Sequence, residues 1–260
     1  MDFTQKIIWI SDLHQTVSGQ VEGVKCSDRL QQLIEQVNRW HSDAACLVAS
    51  GDLTDTGTPN EYEVLLEALA ALDIPFLPMI GNHDHRETMM RAVPRPGQAM
   101  DQYFQYRYDV GELTLLCLDT NLPGSDAGAF DDARLNWLSD TLTACKDRRV
   151  IAFTHHPPGP LGLGPLDEMA LLEHERFIEI LAASPQVEHL FCGHVHRPVS
   201  GVIGGVPFTT LRALAHQTLP PYRDWDWETF VARDERPQYG VILAGTNRLV
   251  VQMNDLEDPA

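Results

Sequence analysis

Ile7-Ile8-Trp9-Ile10-Ser11-Asp12-Leu13-His14 reads as a buried strand that runs into a metal-binding pair. Its first four residues are large, aromatic or β-branched, as a strand covered on both faces requires, and the run stops in a carboxylate and an imidazole where an ordinary turn would stand. Four further runs end the same way. Residues 46–49 lead into Gly51-Asp52, 76–80 into Gly81-Asn82-His83-Asp84, 150–153 into His155-His156-Pro157-Pro158, and 190–192 into Gly193-His194-Val195-His196. Open α/β sheets collect their ligand site beyond the carboxyl ends of the strands, so five strands can deliver Asp12, His14, Asp52, Asn82, His155, His194 and His196 to one place. The pattern predicts a hydrolase with a binuclear metal centre.

Taken one at a time the motifs are ambiguous. Asp12 and His14 stand two residues apart, so on an extended chain both point to one side and can chelate one ion; alone, the pair reads equally as a capping Asp beside a surface His. Gly51 lets the backbone turn closely beneath Asp52, whose two oxygens can bridge two metals, although an isolated Asp here is a turn residue. Asn82 offers a neutral carbonyl oxygen, or simply forms a turn, and His83 can donate a proton or touch a phosphate without being a ligand. Adjacent residues of a strand face opposite ways, so only one of His155 and His156 should bind metal, and His156 is expected to be structural or to support a ligand. His194 and His196 repeat the i, i+2 spacing of the first pair. The signal lies in all five motifs, in this order, each at the end of an apolar run.

Composition bounds the rest. A chain of 260 residues with 43% hydrophobic content can bury a large core, and no linker, charge run or internal repeat divides it, so residues 1–260 are expected to form one domain, with 198–260 supplying C-terminal strands and an aromatic, proline-rich loop. Five cysteines, with no C-x-x-C spacing, read as reduced core thiols. The first ten residues hold only a four-residue apolar run, too short for a signal peptide or membrane helix, which predicts a cytoplasmic protein. Nineteen Lys and Arg against 37 Asp and Glu give a net charge of −18, which opposes long nucleic acid and anionic membranes as partners. A small phosphate ester is still admissible, because two cations would make the site locally positive.

Periodicity places helices over 27–40, from Thr58-Pro59-Asn60-Glu61 onward, over 131–144 and over 166–182, the last carrying His174 on its apolar face. A hairpin is expected from 104–109 and 113–118, and strands over 199–203, 206–211, 238–243 and 248–253. The architecture that accommodates them is α/β: two mixed β-sheets packed face to face with helices outside, a four-layer α/β/β/α sandwich. Residues 219–237, with Pro220, Pro221, Tyr222, Trp225, Trp227, Phe230 and Pro237, carry neither period and read as a long ordered loop whose aromatics face a ligand, a second subunit or a sheet edge.

With these residues in view the chain resembles the calcineurin-like metallophosphoesterase superfamily over residues 7–197, with each ligand position of its pattern filled. It is most similar to class III cyclic-nucleotide phosphodiesterases and bacterial glycerophosphodiesterases, and lacks the large insertion of the nuclease and purple acid phosphatase branches. The resemblance implies two divalent or trivalent ions, Fe, Mn, Zn or Co. One would take Asp12, His14 and His196, the other Asn82, His155 and His194, with Asp52 bridging. It further implies hydroxide attack in line on the phosphorus of a small phosphodiester, with His83 as catalytic acid or phosphoryl contact and with Asn82, His83 and His196 near the substrate. Arg197, directly after His196, is placed to reach a phosphate or a ribose, although a solvated surface Arg is the commoner outcome at such a position. Dimers or larger homo-oligomers follow from the same likeness. Two other readings stay open: a phosphomonoesterase or protein phosphatase, which would need extra basic residues, and a scaffold without metals, which would have lost ligands.

Overall fold

The computed structural model describes residues 3–220 and 224–257. Pro221 and Tyr222 of the aromatic segment, and Met1, lie outside the described residues. The first half of the chain alternates strand and helix: β1 (Phe3–Ile10), α1 (Cys26–Trp40), β2 (Cys46–Ala49), α2 (Pro59–Leu69), β3 (Phe76–Pro78) and α3 (Arg86–Ala92). Three strands follow, β4 (Gln98–Ala99), β5 (Tyr106–Val110) and β6 (Leu113–Cys117), then α4 (Asp132–Ala144), β7 (Arg149–Thr154), α5 (His174–Ala182) and β8 (Val187–Cys192). The chain closes with β9 (Ser200–Ile203), β10 (Val206–Thr210), β11 (Gln238–Gly245) and β12 (Arg248–Asp255).

These strands form two mixed sheets, one ordered β12-β11-β1-β2-β3 and the other β4-β5-β6-β7-β8-β10-β9. Residues 7–10 pair in parallel with β2, residues 7–9 pair antiparallel with β11 on the other side, and all four are fully buried, as their unbroken hydrophobicity requires. β7 shows how the layers stack. Ile151 and Phe153 point into the core shared with β1, whereas Val150 and Ala152 point the other way, into a cluster with Leu135, Leu138 and Leu142 of α4 and Phe177 and Leu181 of α5. Phe191 of β8 joins the sheets, its ring centroid 4.8 Å from Trp9 and 5.2 Å from Phe153. Each such fully buried side chain contributes about 1.5–3 kcal/mol. The carboxyl ends of β1, β2 and β3 therefore meet those of β7 and β8 along one rim, and that rim is where the candidate ligands lie.

Several expected elements differ in detail. The helix anticipated over 166–182 is broken: residues 164–169 form a 3-10 turn and α5 begins only at His174, after Glu173 in the left-handed region (φ 48). Tertiary hydrogen bonds from Leu171 N to Pro157 O (3.2 Å) and from Leu172 N to Gly128 O (2.8 Å) hold the intervening backbone out of helix. α3 was not anticipated, being seven residues with no apolar period; His85 caps it by accepting from Thr88 N. α2 starts as read, with Glu61 Oε2 accepting from Thr58 N at 3.1 Å, a cap worth about 1 kcal/mol. All five cysteines are buried and unpaired, and among the described residues no helix is long and apolar enough to cross a membrane.

Candidate metal centre

The structure brings the seven predicted ligands together, though not by the extended backbone that their spacing suggested. Asp12 (φ 55), His14 (φ 42), Asp52 (φ 48), His194 (φ 71) and His196 (φ 51) all sit in the left-handed region, a conformation that costs a non-glycine residue on the order of 1 kcal/mol or more. Long-range hydrogen bonds hold them there. Leu13 N and His14 N both donate to Asp52 O (2.8 and 3.0 Å), Asp12 N donates to Gly51 O (3.1 Å), and His194 N donates to both oxygens of the Asp12 carboxylate (3.0 and 3.1 Å). Two glycines are required by contact: a Cβ on Gly51 would lie 2.4 Å from His155 Nδ1, and one on Gly81 would lie 2.1 Å from Asp52 Oδ1.

The donor atoms fall into two groups. In the first, His196 Nε2 lies 3.3 Å from both Asp12 Oδ1 and His14 Nε2, and His14 Nε2 lies 3.6 Å from Asp52 Oδ2. In the second, Asn82 Oδ1 lies 3.0 Å from His155 Nε2 and 2.9 Å from His194 Nδ1. Asp52 Oδ2 also lies 3.2 Å from His155 Nε2, which places it between the groups.

The far side of three of the rings decides what faces inward. His14 Nδ1 meets Asp55 Oδ1 at 3.0 Å, His155 Nδ1 meets Ser50 O at 2.9 Å, and His196 Nδ1 meets His216 O at 2.7 Å. Those partners only accept, so Nδ1 carries a hydrogen in each ring and Nε2 is the nitrogen turned into the site. Nε2 of His14, His155 and His196 then confronts its neighbours and the oxygens of Asp12, Asp52 and Asn82 across about 3 Å, an arrangement that repels unless positive charge, as protons or metal ions, lies among them. His194 Nε2 is buried without a hydrogen-bond partner. The donor set fits two metal ions, and mixed oxygen and imidazole donors suit Fe, Mn, Zn or Co.

The same crowding governs protons. Burial by itself would raise Asp12 and Asp52, but His196 beside Asp12 and His155 beside Asp52 hold both carboxylates well below the usual range. Burial would lower His155, and the Asp52 carboxylate reverses this and lifts it to about 9. His194 is pushed down to about 3 by burial and by the neighbouring His155.

A cavity of about 450 Å³ opens over the centre. His83 faces it with a ring 41% exposed, its Nδ1 fixed on Asp55 O (2.8 Å) and its amide on Asp52 Oδ1 (2.9 Å), which leaves Nε2 as the free edge. Burial lowers the His83 pKa, but Asp52 and Asp55 together more than offset this and hold it above the ordinary value. Trp227 and Phe230 of the aromatic loop line the cavity, packed together with Trp225 at centroid distances of 5.3–5.8 Å.

Arg197, expected near the substrate, is turned away from it. It does not line the cavity; its guanidinium grips the Glu235 carboxylate at 2.8 and 2.7 Å and donates to Thr218 O, because a buried guanidinium needs a bidentate partner. Asp84 orients neither His83 nor a ligand side chain; its carboxylate accepts from Leu53 N, Thr54 N, Gly81 N and Tyr62 OH and so ties the turn after β3 to the turn after β2. His156 is held by Thr120 Oγ1 and Asp126 O and is kept neutral by burial. Two contributors escaped sequence reading: Asp55, three residues beyond Asp52, and the backbone carbonyl of His216, which carries no side-chain signal at all.

Asn82→Ala removes the only neutral oxygen of the second group and should weaken that site more than the first. Metal content of the variant, measured after dialysis against graded free Mn²⁺, checks this; equal retention of both ions would count against the grouping.

Comparison with known proteins points the same way as the geometry. The sequence profile described as calcineurin-like phosphoesterase matches residues 5–198. A probable cyclic nucleotide phosphodiesterase of Rhodopseudomonas palustris is 35% identical over 217 residues, which cover 82% of this chain and 79% of that protein. The glycerophosphodiester phosphodiesterase GpdQ of Enterobacter lignolyticus is 31% identical over 211 residues, covering 80% of this chain and 72% of that one. Among solved structures, a dimetal phosphatase from Danio rerio superposes with a TM-score of 0.73 over 99% of this chain and 98% of its own, at 17% identity, a likeness of fold.

Proposed function

The chain belongs to the calcineurin-like phosphoesterase family and is a metal-dependent phosphoesterase; on that premise we propose that it hydrolyses small phosphodiesters of the cyclic-nucleotide or glycerophosphodiester kind. The observation that carries the reading is the set of inward Nε2 atoms of His14, His155 and His196 facing the oxygens of Asp12, Asp52 and Asn82. Asp12, His14 and His196 would hold one ion and Asn82, His155 and His194 the other, with Asp52 shared. When bound, the two ions supply Lewis-acid charge and lower the pKa of water at the site. His83 orients toward the same space through its fixed Nδ1, and its Nε2 edge holds a proton for the departing alkoxide, which is too basic to leave unaided.

A diester is favoured over a monoester by the cavity wall. Among the described residues no Lys or Arg lines it, whereas Glu22, Asp55 and Asp126 do. A monoester dianion would meet more repulsion there than a diester monoanion, and a long nucleic acid would also meet the overall charge of −18.

The test is hydrolysis of bis(p-nitrophenyl) phosphate against p-nitrophenyl phosphate by chelator-stripped protein, with Mn, Fe, Zn or Co restored singly. Metal-dependent turnover that favours the diester is expected. A preference for the monoester would make the chain a phosphatase, and inactivity with every metal would remove the reading.

A further inference from the structure

β6 is an interior strand of the seven-stranded sheet that delivers none of the proposed ligands, yet the residues at its exit bond to neighbours of two members of the second donor group, Asn82 and His194. Asn121 donates through Nδ2 to Gly81 O at 2.7 Å and to Asp84 O at 3.3 Å, so one amide spans the turn whose middle residues are Asn82 and His83. Thr120 reaches the opposite side. Its hydroxyl lies 2.7 Å from His156 Nδ1, and the His156 ring packs on that of His194 with centroids 4.6 Å apart. Because His156 Nε2 meets the carbonyl of Asp126 at 3.1 Å, it carries the hydrogen, and Nδ1 accepts from Thr120.

Asp119 fixes this pair in place. Its carboxylate accepts from Asn121 N (3.0 Å), Phe104 N (2.9 Å) and Arg86 in a two-pronged contact (2.8 and 3.0 Å), while Arg86 also donates to Asn121 O at 2.6 Å. Asp119, Thr120 and Asn121 are all buried, and a fully buried carboxylate costs several kcal/mol unless it is paired and hydrogen-bonded, as Asp119 is. Among the described residues none of the hydrogen bonds of this segment reaches Asp12, His14 or His196.

Resting on the binuclear reading above, we infer that Asn121 and Thr120 are positioning residues for the second metal site, holding Asn82 and His194 in register, and have no such role at the first. A ligand's outer partners set its orientation, and their loss generally weakens a metal site without removing a ligand.

The metal content of chelator-stripped protein, measured by equilibrium dialysis over a series of free Mn²⁺ concentrations, tests this. Asn82→Ala, which deletes a ligand, marks the step that belongs to the second site. Asn121→Ala should shift that same step to roughly 10–100-fold higher Mn²⁺ and leave the other within about twofold. Thr120→Val should shift it in the same direction, and Thr120→Ser, which keeps the hydroxyl, should bring it back; this pair carries the test if Asn121→Ala does not fold. Equal weakening of both steps, no weakening of either, or a Thr120→Ser that behaves as Thr120→Val would overturn the inference. Wild-type protein that takes up fewer than two ions would instead overturn the binuclear reading beneath it.

Discussion

Asp52→Ala is expected to lower turnover of a phosphodiester by more than about 10³-fold, because one oxygen of this carboxylate stands near a ring nitrogen of each donor group. Its Oδ2 lies 3.2 Å from His155 Nε2 and 3.6 Å from His14 Nε2, and its Oδ1 accepts the amide of His83 at 2.9 Å. The substitution would remove the proposed bridging donor, the charge that raises His155 and the acceptor that fixes the His83 backbone in a single step. Asp52→Asn keeps the shape and an oxygen for the His83 amide, so it separates lost charge from lost folding. Both variants should show near-native circular dichroism and Asp52→Ala a reduced metal content. Turnover within about tenfold of wild type with both ions retained would show that Asp52 is not shared between them.

His83→Ala should have the second largest effect, and its size should depend on the leaving group. A positioned general acid contributes about 10²–10⁴-fold where the departing alkoxide is basic, and far less where it is already stable as an anion. The variant should therefore lose on the order of 10²-fold or more on a diester with an alkyl alcohol while losing little on bis(p-nitrophenyl) phosphate. Because His83 is only a backbone and second-layer neighbour of the ligands, with Nδ1 on Asp55 O and its amide on Asp52, metal content should not change. Equal losses on both substrates would assign His83 to phosphoryl stabilisation instead of proton transfer.

The strands and the order of the donor residues were legible in the sequence because both are local. A run such as Ile7-Ile8-Trp9-Ile10 declares its own burial, and the residue that follows a buried strand is at a sheet end wherever that strand is placed. The Thr58 to Glu61 cap was readable for the same reason. The backbone of the ligands was not: Asp12, His14, His194 and His196 look like extended i, i+2 pairs but are left-handed, with the Gly51 and Asp52 carbonyls and the Asp12 carboxylate bonding the amides of Asp12, His14 and His194. Arg197 illustrates the converse error. Its place beside His196 suggested a substrate contact, whereas Glu235, 38 residues away in the chain, claims its guanidinium.

Sequence alone determined the two-sheet sandwich and marked seven candidate donors, because hydrophobic runs and their terminal residues act through covalent neighbours. Only the tertiary structure decided which nitrogen of His14, His155 and His196 faces inward, that Asp52 stands between the two groups, and that Arg197 is withdrawn from the cavity. Each of these is settled by a partner distant in sequence, such as the Ser50 and His216 carbonyls, and a backbone oxygen leaves no trace in the order of side chains.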